Sequence, residues 1–137
     1  ATFGWPAYAW ETLQKQTGKS PVYAAYLAQK SDRTVYAKGN RRGAAHADDV
    51  LYLRGGFDDE AEKYSQEKKV SDLMQQYWVN FAKSGGDPNG EGLPQWPVFD
   101  DQQETVMHFK DGTTSLITVP NKQRIDLLDR FFKMMRP

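Results

Sequence analysis

The sequence predicts an α/β fold, and three observations support this prediction. Residues 21–28 are apolar on both alternating faces, which is typical of a strand buried between two layers. Residues 70–81 carry an apolar stripe at three- and four-residue steps, the spacing of an amphipathic helix. Residues 104–109 and 115–119 form two further strand patterns. At 137 residues and 39% hydrophobic composition, the chain is expected to be one domain with a packed core, and no linker interrupts it.

The N-terminal elements follow from spacing and from helix-stop signals. A first helix is expected over residues 6–15, and Gly18 is placed to end it. Residues 21–28 form the buried strand, although their alanines keep a helix open as the rival interpretation. The polar stretch 29–42 then forms a loop that delivers His46. A loop that follows a buried strand places its side chains at the carboxyl edge of an α/β sheet.

The C-terminal elements are a long helix, a hairpin and a final helix. The long helix runs from a cap at Asp58 to about Lys83, with an interruption near Ser65 and an end at Gly85. The hairpin turns at residues 111–112, an Asp-Gly pair that favours a two-residue turn. The core positions expected from the long helix are Val70, Leu73, Met74, Tyr77, Trp78 and Phe81. Those expected from the final helix, which opens at Asn121, are Ile125, Leu128, Phe131, Phe132 and Met135.

Charge and composition exclude several classes of partner. The chain has 18 basic and 18 acidic residues, so it shows no electrostatic footprint for nucleic acid or for an anionic membrane. With no cysteine, there is no disulfide framework, thiolate metal site or cysteine nucleophile. No apolar stretch approaches the length of a membrane span, and we expect neither a nucleic-acid nor a membrane partner.

His46 is the strongest candidate for chemistry. It follows Gly43-Ala44-Ala45, three residues with little side chain, which leave room for a substrate or another segment to approach the ring. The other histidine, His108, lies in an apolar strand pattern and is expected to be structural. A histidine base needs a nucleophile, but no Gly-x-Ser-x-Gly segment occurs. Ser84 comes nearest, with Gly86 two positions later and Ala82 where the first glycine should be.

Metal chemistry is not expected at His46. Asp48 and Asp49 add only two adjacent carboxylates to one imidazole, and no second histidine is nearby. The two aspartates are expected to be a solvated pair, a cap for a short following turn, or partners that hold the loop. No metal and no cofactor are therefore predicted.

Four segments resemble the C-terminal part of type B carboxylesterases, a family that includes bacterial para-nitrobenzyl esterases and is similar to cholinesterases. These segments are residues 43–53 (Gly-Ala-Ala-His-Ala-Asp-Asp-Val-Leu-Tyr-Leu), 77–85 (Tyr-Trp-Val-Asn-Phe-Ala-Lys-Ser-Gly), 87–90 (Asp-Pro-Asn-Gly) and 93–97 (Leu-Pro-Gln-Trp-Pro). The resemblance implies that His46 is the triad histidine. It also places Asp49 where a glutamate of structural importance is usual, so Asp49 is expected to support the site rather than to be the triad acid.

The resemblance implies that residues 1–137 are the C-terminal segment of a single α/β-hydrolase domain. That segment comprises a buried sheet strand, the histidine loop, a long helix, a hairpin and a C-terminal helix, and it is incomplete without the N-terminal part. The whole enzyme would be a serine carboxylesterase that hydrolyses carboxylic esters. Its N-terminal part would carry the nucleophilic serine and the triad acid, its substrate would be a small ester, and the segment alone would be inactive. A secreted or periplasmic location is slightly favoured.

Two alternatives stay open. The first is an esterase-like binding or adhesion module that has lost its nucleophile. The second is an independent small binding protein with an aromatic platform, to which at most Trp5 and Trp96 would contribute. If the esterase prediction is right, the ring of His46 should have at least one exposed edge. In addition, the strand at 21–28 should have no parallel neighbour within this chain, so that another chain or a swapped copy would complete the sheet.

Overall fold

The computed structural model describes residues 4–33 and 43–135. Residues 34–42, which belong to the predicted loop ahead of His46, lie outside the described residues. The described elements are α1 (Gly4–Thr17), β1 (Ala25–Leu27), α2 (Asp48–Leu53), a 3-10 helix (Asp58–Glu60), α3 (Ser65–Ser84), β2 (Thr105–Lys110), β3 (Thr113–Thr118) and α4 (Lys122–Met135). The predicted α/β character is confirmed, as is the interruption of the long helix near Ser65.

The sheet has three strands in the order β1-β2-β3. Strand β1 runs parallel to β2, and the paired residues are Ala25 with Met107, Tyr26 with His108, and Leu27 with Phe109. Strands β2 and β3 form the predicted hairpin. Asp111 and Gly112 turn it with φ angles of 52° and 73°, the left-handed values that an Asp-Gly two-residue turn adopts.

Three expectations for residues 21–28 are wrong. The strand is three residues long rather than eight, and it is not a buried strand, because Ala25 and Tyr26 are exposed. Earlier in the segment, the carbonyl of Val22 accepts a hydrogen bond from the N–H of Phe99 instead of joining the ladder of β2. The strand also has a parallel neighbour in this chain. The hairpin uses one edge of β2 for β3 and leaves the other edge for β1, a possibility that the sequence pattern does not show.

The chain divides into two compact units. The described residues of the first lie within Ala1–Ala24, Pro97–Val106 and Ile117–Pro137. Helices α1 and α4 pack together there, and the rings of Trp5 and Phe132 stack with their centroids 4.1 Å apart. The buried core of this unit is formed by Ala24, Phe99, Val106, Val119 and Ile125.

Helix α4 buries less than its apolar stripe predicts. Only Ile125 is buried among the helix residues described, while Phe131 is 53% exposed and Met135 is 68% exposed. The stripe itself is present, so the expected apolar face exists. Most of it faces solvent in this chain, which leaves an uncovered apolar surface.

The second unit comprises Ala25–Trp96 and Met107–Leu116. Helix α3 packs against α2, and its residues Val70, Met74 and Tyr77 are buried as predicted, whereas Trp78 and Phe81 are exposed. Trp96 is 4% exposed and lies in edge-to-face contact with the rings of Tyr77 and Phe109. Because it belongs to this core, Trp96 is not available as a ligand platform.

Candidate active site

His46 lies on a turn between β1 and α2, and its side chain is exposed. The N–H of Asp48 donates to the carbonyl of Ala45 at 3.2 Å, so residues 45–48 form a closed turn. Ala47 has φ 65° and ψ 10°, the left-handed conformation that the third residue of a type II turn requires. His46 is the second residue of this turn. The prediction that His46 is an exposed loop residue is confirmed.

The turn begins beside the carboxyl end of β1. Gly43 has a φ of 141°, which disfavours any residue with a side chain. A Cβ atom placed on Gly43 would lie 3.5 Å from the carbonyl oxygen of Ala28, the residue that follows β1. The chain therefore returns to the end of the strand just before His46, at the edge of the sheet where the sequence predicts it.

The side chain of Asp48 stabilises the turn by a hydrogen bond. Its carboxylate accepts a hydrogen bond from the N–H of Ala45 at 2.5 Å, and only 3% of the residue is exposed. Of the three roles expected for the aspartate pair, Asp48 thus performs that of holding the loop. Asp49 is exposed on α2, and its expected structural role stays a prediction. This hydrogen bond has a signal in the sequence. An acidic residue three positions after a turn residue, as Asp48 is after Ala45, can accept a hydrogen bond from the N–H of that residue, as in a capping box.

Tyr52 anchors α2 beneath the turn. It is fully buried, its hydroxyl donates to the carbonyl of Gln29 at 3.3 Å, and its carbonyl accepts hydrogen bonds from the Ser71 hydroxyl and the Gln75 amide. Burial raises the pKa of the Tyr52 hydroxyl far above its ordinary value, and the charge of Glu67 adds to the effect. Tyr52 is therefore a neutral anchor that connects the turn to α3 rather than a proton donor for catalysis.

Arg33 is the last residue described before residues 34–42, and an ion pair holds its side chain in place. The guanidinium of Arg33 donates through both terminal nitrogens to the carboxylate of Asp59, at 2.5 Å and 2.6 Å. Hydrogen bonding to Arg33 lowers the pKa of Asp59. The same guanidinium lies 5.8 Å from the centre of the Tyr64 ring. This forked pair holds residue 33 to the 3-10 helix that follows α2.

His108 is the half-buried strand histidine that the sequence predicts. It pairs with Tyr26 across β1 and β2, and the two rings stack with their centroids 5.6 Å apart. Burial lowers the pKa of the imidazole, and the charge of Lys110 lowers it further. These contacts make His108 a packing residue of the sheet.

Ser84, the serine nearest to the nucleophile pattern, and the buried Ser71 both have structural roles. The hydroxyl of Ser84 donates to the carbonyl of Asp87 at 2.8 Å and accepts from the N–H of Asp87 at 2.7 Å, which fixes the turn after α3. Ser71 is buried and donates to Tyr52. Neither hydroxyl is arranged as an exposed nucleophile on a strand-to-helix turn.

The described part of the chain contains neither a cluster of metal-ligating side chains nor a membrane-spanning helix. Within residues 4–33 and 43–135, no three His, Asp or Glu side chains come together in a way that could hold a metal ion. In the same ranges, no helix combines the length and the apolar composition that crossing a bilayer requires.

An exposed histidine turn at the carboxyl end of a parallel strand is an arrangement of α/β enzymes whose site residues come from loops at that edge. The family model described as the carboxylesterase family matches residues 2–128 of this chain. The chain therefore belongs to the carboxylesterase family.

Similar proteins support this assignment. The chain is 33% identical over 91 residues to pyrethroid hydrolase Ces2a of Mus musculus and to cocaine esterase of Homo sapiens, which covers 65% of this chain and 16% of each relative. A solved structure of a PNB esterase superposes with a TM-score of 0.67 at 21% identity, over 88% of this chain and 24% of that one. The chain thus has the fold of part of an α/β-hydrolase, and it spans about a sixth of the length of the curated relatives.

Proposed function

We propose that this chain supplies the catalytic histidine of a serine carboxylesterase, and that His46 is this residue. The observation that carries the proposal is an exposed imidazole on a tied turn at the carboxyl end of β1, in a chain of the carboxylesterase family. Several relatives are named as esterases or hydrolases, in agreement with ester hydrolysis.

The chemistry requires one group that takes and returns a proton. The imidazole of His46 accepts the proton of the serine hydroxyl as the serine oxygen bonds to the ester carbonyl carbon. It then gives that proton to the departing alkoxide when the carbon–oxygen bond of the ester breaks. In the second half of the reaction the imidazole takes a proton from water as the water oxygen bonds to the acyl carbon. It returns that proton to the serine oxygen when the bond between the acyl carbon and the serine breaks, which releases the carboxylic acid and restores the serine. The substrate of this chemistry is a carboxylic ester.

The serine and the triad acid belong, in this proposal, to an N-terminal part of the same enzyme. Ser71 and Ser84 are occupied structurally, and the chain spans about a sixth of the curated relatives. The apolar surface of the first unit also calls for a cover, because Trp10 is 75% exposed on α1 and Phe131 is 53% exposed on α4. The chain alone is then expected to be inactive toward esters.

The test compares the two histidines in the intact enzyme. His46→Ala should lower kcat for a nitrophenyl ester by about 10⁴-fold, the scale of other triad histidines, while circular dichroism stays unchanged. His108→Ala removes the same ring from a packing position and is the matched control, with kcat expected to stay within a few-fold of the parent. Turnover of the His46→Ala enzyme at the rate of the His108→Ala enzyme would refute the assignment.

A second measurement addresses the partner. A fluorophosphonate, which labels activated serines, should label the intact enzyme and should not label residues 1–137 alone. Labelling of the isolated chain would show that its nucleophile lies within these 137 residues, and the proposed N-terminal partner would then be wrong.

A further inference from the structure

We propose that Asp48 is a positioning residue for His46. It sets the direction of the imidazole by closing the turn on which His46 lies, and it does so as a hydrogen-bond acceptor rather than as a negative charge. The inference rests on the proposed function of His46, and the experiment below separates the two.

Asp48 joins the two ends of the turn by hydrogen bonds. Its N–H donates to the carbonyl of Ala45 at 3.2 Å, and its carboxylate accepts from the N–H of Ala45 at 2.5 Å. Two hydrogen bonds therefore join the residue before His46 to the residue two positions after it. Because Asp48 is 3% exposed, water does not readily compete for the Ala45 N–H.

These hydrogen bonds stabilise a turn whose backbone is strained. Ala47 holds a φ of 65°, a left-handed conformation that is unfavourable for a residue with a Cβ atom. If the carboxylate were removed, the half-buried N–H of Ala45 would lose its hydrogen-bond acceptor, and Ala47 would be less restricted to positive φ. His46 lies between Ala45 and Ala47, so its imidazole ring would move away from its position.

The surrounding contacts restrict the movement to this turn. Gly43 lies against Ala28 on one side, and Tyr52 is hydrogen-bonded to α3 on the other. Loss of the Asp48 carboxylate should therefore displace His46 locally without unfolding the unit. A displacement of about 1 Å in a group that transfers protons lowers turnover by about 100-fold. The effect falls on kcat, since His46 contributes to the transition state more than to substrate binding.

The test compares variants of the intact enzyme with a nitrophenyl ester as substrate. Asp48→Ala removes the acceptor and should lower kcat by about 10- to 100-fold, with KM within about 3-fold of the parent. Asp48→Asn keeps an oxygen acceptor without the charge and should recover kcat to within about 5-fold. Asp32→Ala is the control, because it deletes an aspartate whose side chain is 78% exposed in the same unit, and its kcat should equal that of the parent.

Titration of active sites with a fluorophosphonate gives kcat per functional site, so that partial unfolding does not imitate the effect. Three results would overturn the inference: Asp48→Ala with parental kcat per site, Asp48→Asn as impaired as Asp48→Ala, or a larger loss of kcat in Asp49→Ala than in Asp48→Ala. An active His46→Ala enzyme would instead refute the proposed function. If His46→Ala is inactive and Asp48→Ala is fully active, only the positioning role fails.

Discussion

Glu11 gives the fold a pH dependence that can be measured. It is half-buried on α1, and this burial raises the pKa of its carboxyl group from 4.5 to about 7. Loss of hydration on burial is the cause of this shift. Folding therefore favours the protonated form of Glu11.

The sign of the effect follows from this raised pKa. The contribution of Glu11 to stability is fully present below pH 4.5 and is lost as the pH rises through about 7, because the folded protein must then hold a charge that the unfolded chain hydrates. The difference between 4.5 and about 7, at about 1.4 kcal/mol per tenfold change, corresponds to at most about 3.5 kcal/mol. Since Glu11 is only partly enclosed, solvent screening reduces this to about 1–3 kcal/mol.

The perturbation is Glu11→Gln, which has the shape of the protonated carboxyl group and cannot ionise. Urea unfolding of the intact enzyme, followed by tryptophan fluorescence between pH 4 and 8.5, would report the free energy of unfolding. At pH 4 the variant should match the parent, and at pH 8 it should be more stable by about 1–3 kcal/mol. The exposed Glu62 provides the control, since Glu62→Gln should change neither value. Equal stabilities of Glu11→Gln and the parent at pH 8 would refute the reasoning.

Two further predictions concern packing and backbone strain. Trp96→Ala should lower the free energy of unfolding by about 3–5 kcal/mol in urea unfolding, because it removes a buried ring from contact with Tyr77 and Phe109. Ala47→Gly should raise the free energy of unfolding by about 0.5–1 kcal/mol with kcat retained, since glycine adopts the left-handed conformation of this turn without strain; a lower thermal midpoint would contradict it.

Local features of the fold follow directly from the sequence. Gly18 ends α1 and Gly85 ends α3, and the Asp-Gly pair at residues 111–112 turns the hairpin. Each depends on backbone preferences of one or two residues, so neighbouring residues contain the necessary information. The exposed position of His46 belongs to the same group, because three small residues ahead of it predict an accessible ring.

Features that depend on residues far apart along the chain could not be predicted from the sequence. The pairing of β1 with β2 joins segments about 80 residues apart, and strand propensity does not reveal which free edge a strand will use. Likewise, an apolar stripe predicts a face that can be buried, but not whether this chain supplies the cover, as Phe131 on α4 shows. At the site, the adjacent acids Asp48 and Asp49 were equivalent by residue type. Only the direction of the backbone buries one and exposes the other.

The parallel pairing of β1 with β2 has a consequence for the order of folding. Helix α3 and the hairpin form from residues near in sequence, whereas the pairing of Ala25 with Met107 must close a loop of about 80 residues. During synthesis, β1 leaves the ribosome long before its partner strand exists. The carboxyl end of β1, against which Gly43 positions the His46 turn, is therefore completed late in folding. A polypeptide interrupted before residue 105 would contain His46 without the strand partner that fixes its surroundings.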